Sequence, residues 1–84
     1  MIAWVQPKGP QSPKPGTTLH VVLEQIVDGR PLHSVGRATV HENNQVCVRL
    51  PEGSEAGRVA EVLLREDCLT AWYWGSAPTL RLRP

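Results

Sequence analysis

Between residues 35 and 50 apolar and polar positions alternate with a period of two, as they do along a strand with one face buried. Ala38 and Val40 point one way and Thr39 and His41 the other; further on, Val46, Val48 and Leu50 oppose Cys47 and Arg49. A two-residue loop at Asn43 and Asn44 would set His41 against Val46 and mix the two sets. A three-residue loop of Glu42, Asn43 and Asn44 pairs Val40 with Val46 and Ala38 with Val48, and keeps one face apolar. Such a loop ends on a positive φ, which Asn tolerates, so the spacing predicts a bulged hairpin with Asn44 left-handed.

A second strand pattern, rich in β-branched and aliphatic residues, runs from 17 to 27. Asp28 and Gly29 after it are a strong two-residue turn signal. That turn pairs Val27 with Arg30, Leu23 with Ser34, Val21 with Gly36 and Leu19 with Ala38. Leu19, Val21 and Leu23 then share the inner face with Ala38 and Val40, so two separate turns choose the same interior. The outer face receives His20, Val22, Glu24, His33, Val35, Arg37, Thr39, His41, Cys47 and Arg49, with Glu24 opposite His33.

The period changes after Pro51, Glu52 and Gly53. Ser54 can cap a helix and Glu55 suits its first turn. Ala56, Val59, Ala60 and Leu63 follow at i, i+3, i+4 and i+7, predicting a helix over residues 55–66 with Leu63 against the sheet. Arg58, Glu61 and Arg65 lie opposite, Glu61 and Arg65 at a favourable i, i+4 spacing. Gly57 costs about 1 kcal/mol relative to Ala, and a helix this short must be held by packing.

Residues 69–74 and 79–83 form a last pair of strands whose register has two solutions. A four-residue loop pairs Tyr73 with Leu80 and turns Trp72 and Trp74 outward, Trp72 beside Arg81. A three-residue loop pairs Trp72 with Leu80 and buries the tryptophans. The chain has no Phe, and a core needs bulk, so buried tryptophans are the expectation. At the other end, residues 2–5 make a short strand anchored by Trp4. Pro7, Pro10, Pro13 and Pro15 then exclude a helix and leave an extended spacer. Their spacing also suits a ligand of an aromatic groove.

The expected architecture is α+β: an antiparallel β-meander of four to six strands with one α-helix packed on one face. Residues 1–16 supply a strand and Pro-rich arm, and residues 17–84 a single domain. Composition changes the picture in three ways. At 84 residues the chain can bury roughly 60–68% of its unfolded surface, enough for one modest core. Nine basic against eight acidic residues argue against a protein that mainly coats nucleic acid, while leaving room for a local basic face. No apolar run is long enough for a bilayer. The first six residues lack signal-peptide character, and Cys47 and Cys68 match no metal spacing. A cytoplasmic location is the expectation.

No catalytic constellation is legible: there is no phosphate-binding glycine loop, no nucleophile signature and no paired carboxylates. A Cys47–His41 thiolate pair rests on a shared face alone. His20, His33 and His41 do not converge by spacing, so neither a metal nor a cofactor is expected. The leading reading is a small non-enzymatic binding module acting through His20, Val22, Val35, Arg37, His41 and Arg49 on another protein or a second copy. The alternative is DNA or RNA binding through Arg37, Arg49, Arg81 and Arg83, with Trp72 or Trp74 stacking. No membrane partner and no small-molecule substrate are evident.

Residues 43–51, Asn-Asn-Gln-Val-Cys-Val-Arg-Leu-Pro, resemble the strand segment of swapped-hairpin DNA-binding antitoxins. That family carries Gly-Asn-Ser, an apolar pair, then Val-Arg-Ile-Pro or Val-Arg-Leu-Pro; Asn43 stands for its Gly and Gln45 for its Ser. The resemblance covers nine residues and implies that Arg49 helps contact DNA within an intertwined dimer. It also implies a strand over residues 60–65, where the periodicity predicts helix. More than thirty residues precede the motif here, and few in that family. The resemblance therefore supports the DNA-binding alternative and does not assign the fold.

Overall fold

A computed structural model describes residues 1–24 and 33–84. The described residues form one six-stranded sheet and one helix, in the order β1 (Ile2–Val5), β2 (Thr18–Leu23), β3 (His33–Val40), β4 (Val46–Arg49), α1 (Glu55–Arg65), β5 (Thr70–Trp74) and β6 (Thr79–Arg83). The class is α+β, as the pattern predicts. The sheet is mixed rather than a plain antiparallel meander: its order is β1-β4-β3-β2-β6-β5, and β6 pairs with β2 in parallel. Hydrophobic alternation says which face of a strand is buried but nothing about its neighbour. The crossover through α1 and β5 was therefore invisible to it.

The β3–β4 hairpin has the odd loop. Val40 pairs with Val46 and Ala38 with Val48, across a turn in which Asn43 and Asn44 have φ of 60° and 59°. The interior is the expected one: Leu19, Val21, Leu23, Ala38, Val40, Val46 and Val48 are all no more than 2% exposed. The β2–β3 register holds from Leu19–Ala38 to Val21–Gly36 and then shifts, so Val22 pairs with Ser34 and Leu23 with His33. The cause is a bulge at Gly36, whose φ is +151° and whose missing side chain makes room for the Arg49 carbonyl. Two expectations are corrected as a result. Val35 turns into the core, and Glu24 no longer faces His33. The Asp28-Gly29 turn and its Val27–Arg30 pair lie outside the described residues.

Ser54 caps α1, its Oγ accepting the Gly57 N–H at 2.8 Å, and Arg65 donates to Glu61 at 2.6 Å. The inner face of the helix keeps three residues of the expected stripe, with Ala60 buried and Ala56 and Val59 packed on the core, and loses only Leu63. Gly57 is buried as well, and of the two half-buried leucines Leu64 packs on the core while Leu63 lies beside the exposed Val62. Ala60 is fully buried against the core and Leu64 packs there one turn on, while Gly57 lies against the capping loop, where a Cβ would come within 2.8 Å of Ser54 Oγ and 3.3 Å of the Pro51 carbonyl oxygen.

The Pro-rich segment is attached to the sheet rather than hanging from it. Pro7 and Pro13 are buried. Lys8 donates to the Ala71 carbonyl at 2.8 Å and accepts from the Tyr73 N–H at 3.0 Å, bringing the chain beyond β1 against the far edge strand β5. The sheet thus curls until its two ends nearly meet.

Candidate functional site

Register across the curled sheet fixes which outward side chains stand in line. Ile2 lies opposite Arg49, Arg49 opposite Arg37, Arg37 opposite His20, His20 opposite Thr79, and Thr79 opposite Trp74. Five interstrand spacings of about 4.8 Å make this row roughly 24 Å long. Arg37, Arg49 and His20 are exposed in its middle. Ile2 and Trp74 at its ends are 58% and 44% exposed. In a neighbouring row Trp4, itself 58% exposed, faces Cys47 and meets the His41 ring edge-on at 4.9 Å.

The last strand pair takes the register that turns the tryptophans outward, contrary to expectation. Tyr73 pairs with Leu80, Ala71 with Leu82 and Trp72 with Arg81. Leu80 and Leu82 are fully buried, and a buried indole would need an N–H partner that an aliphatic interior does not offer. On the outside each indole meets a guanidinium, Arg81 lying 4.8 Å from the Trp74 ring and Arg83 6.0 Å from that of Trp72.

Charge on this face is one-sided. Among the described residues the six strands hold four arginines, Arg37, Arg49, Arg81 and Arg83, and no Asp or Glu. Glu24, just past β2, accepts from Arg83 and lies 3.7 Å from Arg81. The Arg83 hydrogen bond is the main reason its carboxyl is held below the ordinary range. Burial opposes that, and the charges of Arg83 and Arg81 reinforce it. Among the described residues no carboxylate pairs with Arg37 or Arg49, which face each other directly.

The predicted site residues therefore divide. His20, Arg37, His41 and Arg49 are exposed on the outer face, with Arg81, Arg83 and Trp72 half-exposed beyond them. Val22, 9% exposed, and Val35, 1% exposed, offer no apolar surface to a partner. Sequence reasoning missed Ile2, Trp4 and Thr79. The signal for the first two was present, since Ala3 and Val5 alternate inward with them, but it needed the pairing of β1 with β4. Cys47 is buried and Cys68 exposed; both are free thiols, and no hydrogen bond joins Cys47 to His41 among the described residues. Among those residues no cluster of three or more His, Cys, Asp or Glu could hold a metal ion, and no helix is long and apolar enough to cross a membrane. Comparison with family models, curated proteins and solved structures finds no match to this chain. Where the antitoxin resemblance implies a strand over residues 60–65, the structure has helix.

Proposed function

We propose that the protein is a non-enzymatic, cytoplasmic binding module whose outer sheet face holds single-stranded nucleic acid. The observation that carries this is the strand set with four arginines and no carboxylate, in which Arg37 and Arg49 stand face to face. Like charges directly opposite destabilise a sheet, and a phosphate backbone laid along the row relieves that repulsion. Trp4 and Trp74 flank the cations with exposed rings, the stacking surfaces a splayed strand uses and a duplex does not. Near-zero net charge is no objection, because five of the eight acidic residues fall between positions 52 and 67, away from the strands.

The test is fluorescence anisotropy with labelled single-stranded DNA, single-stranded RNA and duplex across a salt series. The expected result is a preference for single strands, with affinity falling steeply as salt rises. In Arg37→Glu/Arg49→Glu the log–log salt slope should drop by about 0.7 for each phosphate that is no longer neutralised. No binding at micromolar protein in low salt overturns the reading.

Protein contact is the second reading, and one observation favours it. Met1 and Leu50 exchange main-chain hydrogen bonds, so Ala3 and Val5 repeat that pattern while the Ile2 and Trp4 main-chain groups point off the sheet edge. An edge strand with exposed apolar side chains is a template for another strand, including that of a second copy. Light scattering at rising concentration distinguishes the cases: self-association abolished by Trp4→Glu and indifferent to salt supports this reading, and a strict monomer removes the second copy.

A further inference from the structure

From the geometry beside β5 we infer that the groove between the Pro-rich segment and that strand receives a base of the nucleic acid bound across the sheet. This inference rests on the nucleic-acid reading above and assigns a ligand group to one place on that surface. The groove has a volume of about 470 Å³, within the range of small-ligand sites, and its walls include Pro10, Gln11, Trp72, Trp74 and Arg83.

Its shape follows from two glycines and one clamp. Lys8 is tied to β5 through both of its main-chain groups. Immediately after it, Gly9 adopts a φ of +136° with its Cα so near β5 that a Cβ would lie 3.2 Å from the Tyr73 carbonyl oxygen. The chain therefore turns off the strand instead of extending the ladder, and a slot opens between the Pro10 ring and the indoles. At the far end Gly75 has no side chain to close it; a Cβ there would come within 2.7 Å of Gln11 Oε1.

The slot's chemistry suits a flat heteroaromatic ring. Indole faces stack on any base, and the Gln11 amide can both donate to and accept from a ring edge. Arg83 stays in place because Glu24 holds its guanidinium, so the wall against Trp72 is preorganised. A Pro-rich peptide is the competing occupant of an aromatic groove. Charge and continuity favour the base. Trp74 is the last residue of the row that starts at Ile2 and passes through Arg49, Arg37 and His20, so a backbone neutralised by those cations leads to the slot.

The experiment uses the full chain and a short fluorescently labelled single-stranded oligonucleotide, intact or carrying one abasic position at each site in turn. Two variants alter the slot and keep all four strand arginines: Gly75→Leu plugs the end, and Trp74→Ala removes a wall together with the ring that Arg81 lies against. Thermal melts verify that both fold. The expected result is an affinity loss of about tenfold in each variant, the scale of one stacked base, with an unchanged salt slope. In wild type one abasic position should reproduce the loss, and in Trp74→Ala it should add nothing. Wild-type affinity in both folded variants, with charge reversal at Arg37 and Arg49 still reducing the slope, overturns the slot and leaves the binding face standing. A proline-rich decapeptide that displaces no oligonucleotide yet binds wild type and not Gly75→Leu would also overturn it. Absence of any oligonucleotide binding removes both proposals together.

Discussion

Glu24 shows how one side chain conditions the whole outer face. It is the carboxylate that Arg81 and Arg83 share, and sharing fixes both guanidiniums beside the indoles of β5. Its folded pKa lies below the 4.5 of a free carboxyl, chiefly because of the Arg83 hydrogen bond. A depressed carboxylate binds its proton less readily folded than unfolded, so its contribution to stability is fully present above pH 4.5 and is lost as pH falls below that value through the lowered one. The pair is largely solvated, so water screens it and its contribution is small. Glu24→Gln should therefore melt a few degrees below wild type at pH 7, and the gap should close toward pH 3. A gap that persists or widens in acid would show that the ion pair is not the source. Nothing local in the sequence pointed to this pair, because Glu24 and Arg83 are 59 residues apart and meet only through the parallel β2–β6 pairing.

At the scale of elements, the helix separates what periodicity can read from what it cannot. The repeat Ala56, Val59, Ala60, Leu63 located α1 to within a residue and its Ser54 cap correctly, since capping and amphipathicity are local properties. Ala56, Val59 and Ala60 of that repeat do meet the core, but whether Leu63 or Leu64 completes the stripe depends on how the sheet lies against the last turn, and that was not legible. Gly57 looked like a cost; it is instead buried under the capping loop, where a side chain would collide with Ser54 Oγ. The consequence is a contrast between neighbours. Leu64→Asp sets a carboxylate against the core and should lower stability by about 2–3 kcal/mol. Leu63→Asp, on the rim beside Val62, should cost roughly 1 kcal/mol. Urea unfolding of the two variants decides it, and a larger loss at Leu63 would mean that Leu63, not Leu64, completes the face packed on the core. The same division runs through the strands. Both hairpin interiors were readable from parity, as was the Asn43–Asn44 turn. The Gly36 bulge reversed Val35 because a single extra residue inverts every parity argument beyond it.

For the molecule as a whole, the distribution of charge matters more than its sum. Net charge is +1 at pH 7, a value that by itself predicts indifference to polyanions. Yet positions 52–67 carry Glu52, Glu55, Glu61, Glu66 and Asp67 against Arg58 and Arg65, while the strands carry arginine and no acid. Linear composition averages these two surfaces away; only the pairing that sets Arg49 beside Arg37 and His20 reveals them. Local field and net charge make different predictions that chromatography can separate. Arg37→Ser/Arg49→Ser and Arg58→Ser/Arg65→Ser remove the same number of cations and have identical net charge. If adsorption follows the local field, a phosphocellulose column at pH 7 and low salt should retain the wild type and the helix-side variant and let the sheet-side variant through. Equal retention of the two double variants would mean that the sheet face exerts no field of its own. The alignment of arginines across β3 and β4 would then carry no more weight than scattered surface charge.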